Sequence, residues 1–184
     1  MNKAEIYAFL SRIFSKNIDI ELIIELKKNY VLLDVLMGEE KNWFTCKDEK
    51  ELEKELNIDF STLFLIHNPP IESAVQEETN EVLVGLQNPV MQFYINHGYE
   101  LNLNDTSLQT PDHIAIEFGF MQNLVEQSEL KVQKRFLEEH LLKVWIPYFI
   151  GIKNMATTPF YKNICDFTCE FLASDYEELK SVCI

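Results

Sequence analysis

The chain is poor in glycine and in basic residues. Its 5 glycines form no Gly-rich loop and none is followed by lysine, so the usual phosphate-binding loop is absent. Against 30 Asp and Glu there are 16 Lys and Arg, which gives a formal net charge of −14. Nucleic acid is bound through clustered Lys and Arg, so this balance argues against a nucleic-acid partner and favours basic partners.

Long apolar runs are also missing. No segment approaches the roughly 20 apolar residues that cross a bilayer. The N-terminus lacks a basic region followed by an apolar stretch and a cleavage site. We therefore expect no stable membrane insertion and a cytoplasmic location.

Spacings typical of metal sites are scarce. Cys165 and Cys169 lie one helical turn apart, which suits either two thiolates on a metal or small buried side chains in a reducing compartment, and we favour the second. His113 and Glu117 are also one turn apart, but no HExxH motif supplies a third ligand, so no metal site is predicted. No CxxC pair occurs among the cysteines, which are Cys46, Cys165, Cys169 and Cys183.

The apolar residues of the chain recur mainly at helical spacing. One buried helix face is predicted near the N-terminus, where apolar residues recur at i, i+3, i+4, i+7 and i+8. Strand signals are nearly absent, and no internal repeat is found. With 184 residues and 47% hydrophobic content, the chain is predicted to be all-α, as one domain or two tightly packed lobes. The first apolar face consists of Ile6, Phe9, Leu10, Ile13 and Phe14.

Capping signals predict where further helices begin and end. Asp19 is expected to cap a helix that runs to about Met37 and closes at Gly38. Asn88 and Pro89 are expected to open another helix. Later helices are predicted from Glu129 to roughly Val144, ended by Pro147, and from Thr158 and Pro159 through Ala173, with Ser174 or Asp175 capping a short last helix.

An Asp-His pair precedes a strongly apolar helical stretch. Thr110 is predicted to be the N-cap and Pro111 the first helical residue, which places Asp112 where the helix dipole favours a carboxylate. Adjacent helical side chains point about 100° apart, so Asp112 and His113 form no catalytic dyad, and no catalytic residue is predicted. The structural alternative is a helix-terminal acid, with partly buried and hydrogen-bonded imidazoles at His113 and His140.

Aromatic residues near helix ends suggest a binding groove. Walls of this kind, combined with carboxylates, would suit a peptide that carries apolar residues and arginines, because arginine pairs bidentately with carboxylates. Core packing explains these aromatics equally well. They are Trp145, Tyr148, Phe149, Tyr94 and Tyr99.

Three motifs stand in order along most of the chain. They read DFSTLF at 59–64 followed by PPIES at 69–73, then PDHIAIEFGFM at 111–121, then FLEEHL at 136–141. In order and spacing they resemble the TorD/DmsD/NarJ family of redox-enzyme maturation chaperones.

The resemblance implies a fold and a function. The fold is a TorD-like helical bundle of two lobes over residues 1–184, with a lobe boundary expected in the 98–111 loop. The function is that of a non-enzymatic cytoplasmic chaperone. Such chaperones bind the catalytic subunit of a molybdoenzyme, often at its twin-arginine signal peptide, and delay export until the molybdopterin cofactor is inserted.

The resemblance also implies a peptide-binding site. Pro111, Asp112 and His113 are associated with signal-peptide binding, and Glu72 and Ser73 are carried over with them. We expect Asp112 to offer an exposed charge to a peptide arginine and Glu72 to add a second carboxylate. His113 is expected to hydrogen-bond or orient at the same surface.

Two other interpretations stay open at this point. A nucleotide-dependent assembly factor is one, since weak guanine-nucleotide binding has been suggested for relatives, but the missing Gly-rich loop counts against it. A protein that shares the fold and serves a different partner is the other. On the leading interpretation the chain has no cofactor of its own, because the client carries the molybdopterin. The sequence does not name the client or choose between a monomer and a domain-swapped dimer.

Overall fold

The predicted all-α class is confirmed. A computed structural model describes residues 1–76, 82–83, 85–103 and 108–183. Within these ranges helices follow one another, and the β-type contact is limited to one isolated bridge. No helix of this part is long and apolar enough to cross a bilayer.

The helices alternate with short turns along the chain. Two segments, Ser61–His67 and Leu137–Trp145, are π-helical, with wider turns than an α-helix. The α-helices are α1 (Lys3–Ser15), α2 (Ile20–Lys28), α3 (Tyr30–Met37), α4 (Lys41–Thr45), α5 (Glu49–Phe60), α6 (Glu72–Gln76), α7 (Pro89–Asn96), α8 (Ile114–Glu126), α9 (Leu130–Phe136), α10 (Ile146–Lys153) and α11 (Pro159–Val182).

The N-terminal caps are largely as predicted. The Asp19 side chain accepts a hydrogen bond from Leu22 N and caps α2. Gly38 closes α3 with a φ of +48°. The single helix expected between them is wrong, because Asn29 interrupts it and caps α3 by accepting from Leu32 N. A short polar side chain that bonds nearby backbone offers the chain an alternative to continuing the helix.

Two C-terminal boundaries differ from the prediction. Pro147 does not end a helix, because helical backbone runs without a break from α9 through the segment Leu137–Trp145 into α10, of which Pro147 is the second residue. Asp175 does not start a new helix, because α11 runs unbroken past it. The Asp175 carboxylate is instead buried and accepts from Tyr7 Oη at 2.6 Å, while Lys3 Nζ lies 2.5 Å from its other oxygen.

Contacts divide the chain into two compact units. The first unit comprises residues 1–15, 70–148 and 171–184, and the second comprises residues 16–69 and 149–170. The 98–111 loop falls inside the first unit, and residues 104–107 lie outside the described residues. The lobe boundary expected in that loop therefore stays a prediction.

The first unit is built on the packing of α1 against α8. The rings of Tyr7 and Phe14 lie 6.0 and 6.1 Å from the ring of Phe118. Ser11 Oγ donates to the carbonyl of Ala115 at 2.7 Å, so the two helices are also joined by a hydrogen bond. This pairing fixes α8, the helix that follows the Asp-His pair.

The second unit is organised around a buried carboxylate. Asp59 accepts from the backbone N–H groups of Thr157 and Thr158 and from Thr158 Oγ1 at 2.7 Å. It thereby holds the start of α11 against the end of α5. The rings of Phe64 and Tyr161 meet edge to face beside it, 5.7 Å apart.

Replacing Asp59 should destabilise the second unit. In Asp59→Asn an N–H₂ group faces donors that the carboxylate now satisfies, and leaving buried donors unpaired costs about 1–3 kcal/mol. We expect a loss of that size in the free energy of unfolding, measured by urea titration with circular dichroism. Asp34→Asn is the matched control, since Asp34 is exposed and pairs with Lys41. Equal urea midpoints for the two variants would contradict the assignment.

Candidate functional site

Two of the sequence motifs meet through their backbones. Ile71 and His113 form an isolated antiparallel bridge, and Glu72 N donates to Asp112 O at 2.9 Å. Residues about 40 positions apart in sequence are thereby fixed side by side. The bridge lies wholly within the first unit.

Asp112 is buried beneath this bridge. It is 1% exposed, and its Oδ2 accepts from Ser73 N at 2.9 Å. Its Oδ1 has no hydrogen-bond partner among the described residues. The expectation of an exposed charge at Asp112 is therefore wrong, because the pairing that joins the two motifs covers the carboxylate.

His113 is the N-cap of α8. Its backbone is extended, and its Nδ1 accepts from Ala115 N at 3.2 Å. Burial lowers the pKa of His113 to about 4, against the opposing effect of the Asp112 charge. The imidazole is therefore neutral at physiological pH, as an accepting cap requires. Thr110, predicted to be the N-cap, lies outside the helix, which begins only at Ile114.

Glu72 and His140 form a second buried contact. His140 Nδ1 lies 2.9 Å from Glu72 Oε1, and Gln76 Nε2 donates to the same oxygen at 2.8 Å. A carboxylate can only accept, so His140 Nδ1 is the donor in this contact. The prediction of a partly buried, hydrogen-bonded His140 is confirmed.

Glu117 and Trp145 form a third buried contact. The indole Nε1–H donates to Glu117 Oε2 at 2.9 Å, and both side chains are fully buried. Burial raises the pKa of Glu117 well above its ordinary value of 4.5, and the charges of Glu72 and Asp112 add to the rise. The Trp145 hydrogen bond acts in the opposite direction. A carboxyl group in this setting favours its neutral form.

The π-helical segment Leu137–Trp145 positions both donors. His140 and Trp145 are five residues apart, the spacing that a π-helical turn places on one side. Each then reaches a different buried acid, Glu72 or Glu117. Single-turn π-bulges occur often at functional sites, and this longer segment presents the two side chains to one cluster.

A cavity of about 440 Å³ opens above the Glu72–His140 contact. Phe93 forms one wall and meets the His140 ring edge to face, with centroids 5.5 Å apart. Charged side chains of both signs surround the opening. The lining residues are Glu72, Gln76, Pro89, Gln92, Phe93, Asn96, Arg135, Glu139, His140 and Lys143.

Val75, Leu86 and Ile95 are exposed apolar residues that lie close in sequence to residues lining the cavity. Val75 precedes the lining residue Gln76, and Ile95 precedes Asn96. The Leu86 carbonyl accepts from the lining residue Gln92 at 2.6 Å, and the Leu86 side chain is itself exposed.

The predicted site residues separate into two groups. Glu72 lines the cavity. Ser73, Pro111 and Asp112 are buried behind it, and His113 is half-buried at the start of α8. The structure therefore places all five predicted site residues close together, and Glu72 is the one that lines the cavity.

Several cavity residues were missed at the sequence level. Arg135, Glu139 and Lys143 follow one another at i, i+4 and i+8 beside His140, which is a recognisable signal for one charged face. Phe93 carried no such signal, since an aromatic residue inside α7 looks like any core residue.

The predicted aromatic walls are mostly core residues. Trp145, Tyr94 and Phe149 are fully buried, so the core-packing alternative is correct for them. Tyr94 donates its hydroxyl hydrogen to the carbonyl of Pro111 at 3.2 Å and thereby supports the bridge. Trp145, Tyr94 and Phe149 therefore support the site from the core and do not line the cavity.

The cysteine pair resembles core packing more than a metal site. Cys165 is buried and its pKa is raised by burial, while burial raises the pKa of the half-buried Cys169 to about 11. Both thiols therefore disfavour the thiolate that binds metal. In the described part of the chain no group of three or more His, Cys, Asp or Glu could hold a metal ion.

Comparisons with known proteins agree with the motifs. The family described as nitrate reductase delta subunit matches residues 28–151. A relative named chaperone protein TorD, from Vibrio atlanticus (strain LGP32), is 26% identical over 96% of this chain and 94% of its own length. No solved structure matches the chain.

Removing the carboxyl group of Glu117 should change stability with pH. The folded state keeps a proton that the unfolded chain releases above its ordinary pKa of 4.5, so wild-type stability falls as the pH rises above that value. Glu117→Gln cannot titrate and still accepts from Trp145. We therefore expect the difference in free energy of unfolding between Glu117→Gln and wild type to shift in favour of the variant as the pH rises from about 5 to about 8. Urea titration at each pH measures this difference. Glu126→Gln, at an exposed position of α8, is the control. A difference in free energy of unfolding between Glu117→Gln and wild type that does not change with pH would refute the buried-acid interpretation.

His113 should contribute the opposite slope at lower pH. Its pKa falls from 6.5 in the unfolded chain to about 4 in the folded one, so the unfolded state binds more protons between these values. Stability contributed by the neutral ring is present above pH 6.5 and is lost as the pH falls towards 4. His113→Asn retains a cap acceptor without titrating, and should lose less stability over that interval. NMR titration of the imidazole gives the direct check, and a midpoint near 6.5 would sink the prediction.

Proposed function

The chain belongs to the nitrate reductase delta subunit family, and on that premise we propose that it is a cytoplasmic chaperone for the maturation of a molybdoenzyme catalytic subunit. It binds the twin-arginine signal peptide or the apo form of that subunit until the cofactor is inserted. The relative named as a TorD chaperone, which aligns along nearly the whole of both chains, supports this proposal.

The cavity of the first unit is the observation that carries the peptide-binding part. It places the carboxylates of Glu72 and Glu139 beside the aromatic ring of Phe93. Carboxylates and aromatic faces are the groups that bind arginine. A net charge of −14 draws a basic segment towards the protein.

Each predicted site residue then has a distinct role. Glu72 contacts the peptide from the cavity wall. Asp112 and Ser73 are positioning residues, because their contacts hold the backbone around Glu72 in place. Pro111 supports them through Tyr94, and His113 fixes the start of α8.

The cavity is suited to binding and not to covalent catalysis. No serine, threonine or cysteine is among its described lining residues, so the Glu72–His140 pair has no hydroxyl or thiol to activate. Neither comparison names nucleotide binding or hydrolysis. We therefore propose no cofactor for the chain itself, since molybdopterin belongs to the client.

A defined peptide tests the proposal. Wild type should bind a synthetic twin-arginine signal peptide of a molybdoenzyme catalytic subunit, measured by titration calorimetry. Glu72→Gln should weaken this affinity roughly tenfold, because it removes a carboxylate from the wall. A twin-lysine peptide should bind more weakly than the twin-arginine peptide, since lysine cannot pair bidentately.

The control is Glu126→Gln, which removes one exposed carboxylate from the same unit away from the cavity. It should bind as wild type does, and circular dichroism shows whether both variants are folded. Absence of peptide binding by wild type would reject the peptide-binding part of the proposal. Equal weakening in both variants would show a general charge effect and not a site at Glu72.

A further inference from the structure

Arg135 lines the cavity, and its guanidinium group contacts an aromatic ring and a carboxylate there. Its guanidinium carbon lies 5.4 Å from the centroid of the Phe93 ring. Its Nε donates to Glu139 Oε1 at 2.6 Å, and its Nη2 lies 3.4 Å from Glu139 Oε2. All three residues line the same cavity. The chain's own arginine thus demonstrates that an aromatic ring and a carboxylate are spaced there to receive a guanidinium group.

The wall of the cavity that contains Glu72 and His140 is also suited to binding a guanidinium group. The Glu72 carboxylate lies on this wall and contacts His140 Nδ1 and Gln76 Nε2. The side-chain carbonyls of Gln92 and Asn96 add further acceptors. A planar cation with several N–H donors satisfies these groups, whereas an anion would face the carboxylates of Glu72 and Glu139.

The Arg135 contacts are weak enough to be exchanged. The side chains of Arg135 and Glu139 are 59% and 44% exposed. Exposed ion pairs and exposed cation–π contacts contribute little to stability, because water screens the charges and long side chains lose rotamer freedom. An incoming guanidinium could therefore replace Arg135 without disturbing the buried contacts behind it.

We infer that the cavity is a guanidinium-binding site in which Arg135 is an internal occupant that a partner's arginine displaces. This inference rests on the proposed function for the source of that arginine. An internal occupant lowers the apparent affinity for every external arginine by the fraction of time that it holds the site. A lone arginine then binds poorly, whereas a peptide that makes further contacts with the protein can compete. Arg135 thus raises the affinity that a ligand must gain from its other contacts before it occupies the site.

Arg135→Gln tests the inference directly. The variant keeps a polar side chain but vacates the guanidinium position. If Arg135 holds the site about nine-tenths of the time, its removal should tighten apparent affinity for a twin-arginine peptide about tenfold. N-acetyl-arginine amide, which does not depend on any client sequence, should bind the variant saturably and more tightly than it binds wild type. Titration calorimetry measures both affinities.

Lys134→Gln is the matched control. Lys134 neighbours Arg135 in α9, pairs with Glu138 at 3.2 Å and does not line the cavity. Lys134→Gln changes the net charge by the same amount as Arg135→Gln. A gain in affinity that is seen only with Arg135→Gln therefore reflects the vacated guanidinium position. Adding Glu139→Gln to Arg135→Gln should abolish the gain, because the carboxylate that receives the guanidinium is removed.

The outcomes separate this inference from the proposed function. Weaker binding in Arg135→Gln, or binding equal to that of Lys134→Gln, would overturn the inference even if wild type binds the signal peptide. Tighter binding of N-acetyl-arginine amide, specific to Arg135→Gln, would support the inference even if no signal peptide binds.

Discussion

The first unit depends on the backbone bridge between Ile71 and His113, which brings three buried acids into one cluster. Each acid is stabilised differently. Asp112 accepts a backbone N–H from Ser73, and Glu72 is held by an imidazole and an amide. Glu117 accepts from an indole and favours its neutral form. Unpaired buried charge is costly, so these distinct solutions allow the acids to lie together without mutual repulsion disrupting the fold.

The cluster in turn determines what the cavity presents. The π-helical segment Leu137–Trp145 is fixed at two points, because His140 bonds Glu72 and Trp145 bonds Glu117. The cavity side of that segment then carries Glu139 and Lys143, with Arg135 one turn before it. A buried layer of hydrogen-bonded acids therefore supports an exposed layer of charged side chains.

Local signals predicted many of the elements. Asp19 and Asn88 cap helices as expected, because an N-cap depends on a side chain and backbone only two or three residues away. Asn29 and Asp175 were misread, since a polar residue near an apolar stretch suits a cap, an interruption or a buried partner equally well. The choice among these is made by distant residues; Tyr7, which bonds Asp175, is 168 positions away.

The sequence by itself determined the all-α class, the buried helix faces and the family, because periodicity and ordered motifs are properties of the linear chain. Only the tertiary structure decided which motif residues line the cavity. Asp112 carries a charge suited to peptide binding but is covered by the segment that contains Ser73. Glu72 meets His140 across 68 positions and faces the cavity. Accessibility depends on which segments pack over a residue, and that information lies in contacts between distant parts of the chain.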